Sequence, residues 1–209
     1  MLSVALTFDF DDGNGPVPAH CHSNPDHTRG GWVADTATVE KTAFVGTHAR
    51  IFDNAQIHHQ AVIEDHAKVF GTAQIRGNSR ISQTAQVSDK ALVYGNAWVG
   101  GSARIGGRAI IADNAWVFEQ ALVTENATVR ENAKINDSAQ VSGHAAIFGE
   151  AMIGHQTVVR GKAMVGGTIQ LYLDATEPIE NDTTLLSNTA YIHNQNVAKV
   201  LKLDDEIGF

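Results

Sequence analysis

Ala49-Arg50-Ile51-Phe52-Asp53-Asn54-Ala55-Gln56-Ile57-His58-His59-Gln60 contains the same six-residue pattern twice, and that pattern decides the fold. An aliphatic residue recurs at every sixth position from Val33 to Leu171. That is 24 positions, all Val or Ile except the last. Four residues after each comes a small one. From Ala37 to Ala163 these are 22 positions, all Ala except Ser79 and Thr157. Ala49 and Ile51 are two apart, so both lie on the same side of a short strand, while Arg50 and Phe52 point the other way. Asp53-Asn54 then supplies a corner, as do Gly71-Thr72, Gly95-Asn96, Asp113-Asn114 and Glu125-Asn126. These residues tolerate positive φ or bond to their own backbone. A helix is excluded, because a period of six keeps no fixed face at 3.6 residues per turn.

Short strands joined by corners of constant length wind into a parallel β-helix. Three hexads make one triangular coil of 18 residues, and about 7–8 coils stack roughly 4.8 Å apart into a rod near 35 Å long. The β-branched residue fills the centre of the prism and the Ala fits beside each corner.

The pattern resembles the hexapeptide repeat of left-handed β-helix proteins, a superfamily dominated by trimeric acyltransferases. Val45-Gly46-Thr47-His48-Ala49-Arg50 carries the likeness, which covers residues 33 to 171. Left-handed winding is what the resemblance implies; the period alone does not give it, and most crossovers are right-handed. The opening Gly30-Gly31-Trp32-Val33-Ala34-Asp35 and the regular Asn-Ala-x-Val units resemble uncharacterised hexapeptide proteins of bacteria and their phages. The expected fold is therefore all-β, a single-chain left-handed parallel β-helix over residues 32 to 171. A strand-and-loop leader at 1 to 31 and a C-terminal cap at 172 to 209 complete it. In the leader, Leu2, Val4, Leu6, Phe8 and Phe10 alternate as a strand would. In the cap, residues 187 to 203 form a short helix with Ser187 as N-cap. Both pieces would cover the prism ends, where strand edges are otherwise unpaired.

Composition sets outer limits on function. Hydrophobic residues make up 43% of the 209 and charged residues 18%, as in a folded domain. A net charge of −8 disfavours non-specific contact with nucleic acid or an anionic membrane, although a local basic strip stays compatible with it. The single Cys21 forms no internal disulfide. The N-terminus lacks a basic signal-peptide region, and no apolar run approaches the roughly 20 residues of a membrane span. The expected setting is cytoplasmic, in a bacterial host or from a phage, with neither nucleic acid nor membrane as partner.

Sorting outward residues by 18 places Leu92, Tyr94, Trp98, Ile110, Trp116 and Phe118 on two adjoining faces around the Gly95-Asn96 corner. Such a cluster is unusual on a soluble monomer. It reads first as a subunit interface with aromatic anchors, and a homotrimer is what the superfamily implies. Cover by the terminal segments, or a partner platform, are the alternatives. The same sorting stacks His48, Arg50 and Phe52 under His66, Lys68 and Phe70. Cations beside rings suit a small anionic, phosphate-bearing or nucleotide-like ligand, whereas duplication of one coil explains the pairing without a ligand.

Resemblance to the acyltransferases implies a catalytic His as general base, a loop thrown out from a coil, and CoA along the groove between subunits. His66 and His48 are the weak catalytic candidates, with His144 and His155 further along. The register has no insertion between Val33 and Leu171, so that loop is missing, and the chain leans away from an enzyme. Resemblance to β-helical carbonic anhydrases would require three converging His ligands, which His48 and His66 do not complete. His20-Cys21-His22 with Asp26 and His27 is the densest set of potential metal ligands, yet its spacing matches no zinc pattern, and no metal is expected. An ice-binding surface would need a flat Thr ladder, for which Thr38 and Thr128 are too sparse. No nucleophile elbow, P-loop or dinucleotide fingerprint is present, and Gly100-Gly101 and Gly106-Gly107 are corner glycines. The leading expectation is a rigid structural or binding module; the alternative is a CoA-dependent acyltransferase with its acceptor site between subunits.

Overall fold

A computed structural model describes residues 6–174, 178–180, 183–187 and 191–193. Two-residue strands recur every six residues from Thr38–Val39 to Ala146–Ile147, and each pairs in parallel with the strand 18 residues later. Three parallel sheets result, here called I, II and III, and together they form a β-solenoid of about eight coils with no inserted loop between residues 38 and 171. Sheet I carries Arg50, Lys68, Gln86 and Arg104 outward, sheet II Gln56, Gln74, Leu92 and Ile110, and sheet III Val62, Arg80, Trp98 and Trp116.

The inward side chains form one continuous core. From Ala43 to Ala163 both the Ala and the Val/Ile positions are fully buried, and so are Ser79 and Thr157. Each buried Val or Ile contributes about 1.5–3 kcal/mol, which explains the strictness of the register. The two hydroxyls find backbone partners: Ser79 Oγ donates to Arg76 O at 2.8 Å, and Thr157 Oγ1 donates to Leu171 O at 3.4 Å and accepts from Leu173 N at 2.7 Å.

The corners use a device that their composition does not reveal. All 20 residues that stand two after a Val or Ile position, from Asp53 to Gly167, have positive φ. Glycine is comfortable there, but Asp113, Glu119, Glu125, Glu131 and Asp137 hold φ between 55° and 63°. Their carboxylates do not bond their own backbone, as the turn chemistry suggested. Each reaches along the rod and accepts the N–H of the equivalent corner residue one coil on. Glu125 Oε2 takes Gly143 N at 2.7 Å, Asp89 Oδ2 takes Gly107 N at 2.8 Å and Asp113 Oδ2 takes Glu131 N at 3.0 Å. That N–H has no carbonyl partner in the coil ladder, so the acid offsets backbone strain with a charge-assisted bond. One corner adds a ladder of asparagine amides, Asn78, Asn96, Asn114 and Asn132, linked at 3.1–3.2 Å.

Both ends differ from expectation. The leader is no loop: β1 (Thr7–Phe8), β2 (Val17–Ser23) and β3 (Arg29–Ala34) form an antiparallel meander, and β3 joins sheet I beside Arg50–Ile51. Gly30 and Gly31 carry the chain across the open prism. A Cβ on Gly30 would lie 2.7 Å from Val45 O, and one on Gly31 would run into the carbonyls of Gly46 and Ala49. Asn24 then copies a strand with its side chain, accepting Val45 N at 2.8 Å and donating to Val45 O at 3.1 Å. The Gly-Gly opening is thus a close-approach requirement at the rod's end. Residues 1 to 5 of the expected leader strand lie outside the described residues.

At the other end the solenoid continues beyond Leu171. Ile179 bridges Val159, the strand Thr184–Ser187 pairs with Met164–Gly167, and Tyr191–His193 pairs with Gln170–Tyr172. Buried Leu171, Ile179 and Leu185 are eight and six residues apart, and Ile192, in register with Leu171, follows seven residues on, so the hexad pattern fades while the coil persists. Ser187 therefore ends a strand instead of capping a helix; residues 188 to 190 and 194 to 203 of that expected helix lie outside the described residues.

Candidate functional site

Sheet III carries its outward residues in a column, one per coil: Arg80, Trp98, Trp116, Lys134 and Met152. The Trp98 and Trp116 rings meet edge to face at 5.4 Å, and Phe118 meets Trp98 edge to face at 4.7 Å. Phe118 fits because Gly100 lies beneath it, where a Cβ would come within 2.6 Å of the ring. Cations close both ends of the pair. Arg80 stands 5.2 Å from the Trp98 ring and is also held by Glu64, while Lys134 stands 4.9 Å from the Trp116 ring. Trp98 Nε1 donates to Ser82 Oγ at 2.9 Å, which fixes that indole. Trp116 is 41% exposed and Tyr94 39%; Leu92 and Ile110, neighbours on sheet II, are half-buried.

A groove of about 320 Å³ opens against this column, lined by Trp98, Trp116, Phe118, Lys134, Asn136 and Met152 among others. The sequence reading found its Trp and Phe residues but not Lys134, Asn136 or Met152 as part of it. Their signal was available, since Lys134 and Met152 follow Trp116 by 18 and 36 residues.

The paired set on sheet I stacks as the 18-residue spacing requires. His48 and His66 lie 5.0 Å apart at 18°, and Phe52 and Phe70 lie 5.0 Å apart at 2°. The two histidines are exposed. Arg50 and Phe52, however, are occupied by the chain's own N-terminal segment. Arg50 pairs with Asp11, donates to Phe10 O at 3.3 Å and lies 5.4 Å from the Phe8 ring. Phe52 is 5% exposed beneath Phe10, at 5.0 Å. The hydrogen bond from Arg50 and its charge hold the Asp11 carboxyl below the usual carboxylate range. His48, His66 and Lys68 are the members left outside this contact.

A register irregularity in β2 between Cys21 and Ser23 breaks the strand's alternation and parts the two histidines of the His-Cys-His run. His20 Nδ1 faces Asp35 Oδ1 at 2.8 Å, whereas His22 is buried and its Nε2–H donates to Ala43 O at 3.1 Å. Burial pushes the His22 pKa down from 6.5, against the opposing effect of that hydrogen bond. Cys21 accepts from Arg29 at 3.1 Å. Among the described residues no three His, Cys, Asp or Glu side chains are grouped to hold a metal ion. His155 sits at a positive-φ corner with its ring 2.9 Å from Asp174, and His144 is exposed at another corner.

Comparison with known proteins agrees with this architecture. Residues 85–101, about one coil and including Leu92, Tyr94 and Trp98, match the family model for the YdcK Beta solenoid repeat. No curated protein matches the chain. No helix among the described residues is long and apolar enough to cross a membrane.

Proposed function

We propose that this chain is a rigid binding module, wound left-handed and assembled as a homotrimer in the cytoplasm, whose aromatic corner is the contact surface. Leu92, Tyr94, Trp98, Ile110, Trp116 and Phe118 are the anchors of that contact. The observation that carries the reading is the open Trp98–Trp116–Phe118 cluster, held rigid by Gly100, Ser82 and two cations yet uncovered by any described segment. Large aromatic groups held in one conformation lose little entropy on association, and such residues dominate interface energies. Light scattering tests it. The whole chain should have three times its monomer mass, and Trp98→Ala with Trp116→Ala should dissociate it; a wild-type monomer would refute the trimer.

A second reading rests on the stacked, exposed His48 and His66 beside Lys68. Together they suit a small anionic ligand, and in the CoA-dependent acyltransferase alternative His66 or His48 would be the general base between subunits. The uninterrupted coils weigh against it, because no loop shapes an acceptor pocket. Calorimetry with acetyl-CoA decides: micromolar binding, with turnover lost in His66→Ala, would replace the module reading.

A further inference from the structure

We infer that the edge of the first strand of sheet II, Thr38–Val39, is a docking site for an extended basic peptide segment, which adds one more strand beneath it. The site lies at the base of the rod, apart from the aromatic corner. In a parallel ladder, successive residues of a strand turn their backbone groups toward opposite neighbours. Thr38 faces the next coil, where its N–H donates to Ala55 O at 2.9 Å, so Val39 faces away from the rod. Sheet III begins in the same way: Phe44 donates to Ala61 O at 3.0 Å and Val45 faces away. There the chain covers its own edge. Ala43 O accepts from His22 Nε2 at 3.1 Å, and Asn24 holds both Val45 N and Val45 O. Sheet I is covered by β3 and β2. The three equivalent groups of sheet II are Ala37 O, Val39 N and Val39 O, and among the described residues none has a hydrogen-bond partner. Ala37 and Val39 are also only half-buried, whereas Ala43 and Val45 are 0% exposed. Folded chains manage such edges explicitly, and this base closes two of its three sides.

The unmatched groups name the occupant. Acceptor, donor and acceptor at ladder spacing fit the N–H, C=O and N–H of an extended backbone, which gains main-chain bonds as soon as it adds. A second rod cannot stack flat here, because the β1–β3 meander and Asn24 fill the other two sides of the base; a single strand can. An apolar side chain opposite Val39 would close the part of the prism left open. Charge sets the second requirement. Asp35 and Thr36 lead directly into Ala37, and with Asp12, Asp53, Phe10 and Phe52 among others they line a cavity of about 440 Å³. Its described lining includes no Lys or Arg. Aromatic walls beside carboxylates suit the aliphatic stem and charged tip of a Lys or Arg side chain, and a strand laid along Thr38–Val39 passes that corner. An acidic segment would be repelled there.

Fluorescence anisotropy tests this by titrating the whole chain into a short labelled peptide of alternating Lys and Val. Two further probes carry Glu in place of Lys, or N-methylated amides. Saturable binding of the Lys peptide is expected, weakened about tenfold or more by either change. Hydrogen exchange locates it: the Val39 amide should slow in the saturated chain, while the Val45 amide, already bonded to Asn24, stays unchanged. Val39→Pro removes the open N–H at an edge position where sheets accept Pro, and should weaken the peptide about tenfold. Three results would overturn the site: no saturable binding of the Lys peptide, equal binding of the Glu or N-methylated peptide, or unchanged exchange at Val39. Light scattering on the same samples keeps the claims apart. A monomer that binds the peptide removes the trimer alone, and a trimer that binds none removes the edge site alone.

Discussion

Two aromatic ladders grow from the same rod, and the chain treats them differently. On sheet I, Phe52 and Phe70 stack outward, and residues 6 to 12 fold back to extend the stack with Phe10, set Phe8 against Trp32 at 4.6 Å and pair Asp11 with Arg50. On sheet III, Trp98, Trp116 and Phe118 are as tightly organised, but no described segment lies over them. The scaffold is the same, so the difference lies in cover. An aromatic column that serves folding is buried by its own chain. One that is braced but left open is arranged for something outside it.

The largest expected effect breaks the covered ladder. Phe52→Ala should lower folding stability by about 3–5 kcal/mol, seen as a lowered denaturant midpoint in chain diluted to the monomer. Trp116→Ala, by contrast, should move the folding of an isolated chain by about 0.5 kcal/mol or less, with its main effect on assembly. Equal losses in the two variants would erase the distinction.

A mid-sized effect checks that the scaffold under both ladders is equivalent. Asp89 flanks sheet I and Asp113 flanks Trp116, and each caps an N–H one coil on at φ near 60°. Asp89→Ala and Asp113→Ala should each cost about 1–2 kcal/mol, from strain plus the lost bond. Glycine at either site should cost less, because it removes the strain while losing the same bond.

The smallest effect is a pH dependence confined to the covered end. The His22 pKa is depressed in the fold, so its contribution is complete above the ordinary value of 6.5 and falls as pH drops through it. Asp11, Asp26 and Glu40 are likewise lowered and lose their contribution below the usual carboxylate range. Hydrogen exchange of the Val45 amide, which Asn24 caps, should therefore speed up between pH 7 and 5 and again near pH 4, relative to that of Val117. A uniform change along the rod would contradict this.

The rod was legible because one physical demand, filling a narrow prism, acts on every sixth residue and leaves an unmistakable mark. Placement of the candidate site was legible for the same reason, since a strict period of 18 sorts Trp98 beneath Trp116 and His48 beneath His66. What stayed hidden depends on contacts without a period. Residues 11 to 31, rich in Gly, Pro and His, gave no strand signal, yet β2 and β3 pair because Gly30 and Gly31 let the backbone cross the prism end. Beyond Leu171 unequal spacing hid one more coil. The corner acids were hidden in a different way: Asp and Glu read as solvated turn residues, and only the position of the next coil's N–H gives them their work. Arg50 and Phe52 read as exposed because nothing in the hexad marks that Phe10 and Asp11 return to cover them.

The central claim is that the open ladder is covered by something other than its own chain. Acrylamide quenching of a chain that keeps Trp116 alone, with Trp32→Phe and Trp98→Phe, tests it most directly when followed against protein concentration. Quenching should be strong in dilute solution and fall steeply as the assembly forms. An indole that stays equally accessible at every concentration, in a chain that remains a monomer, would contradict the account.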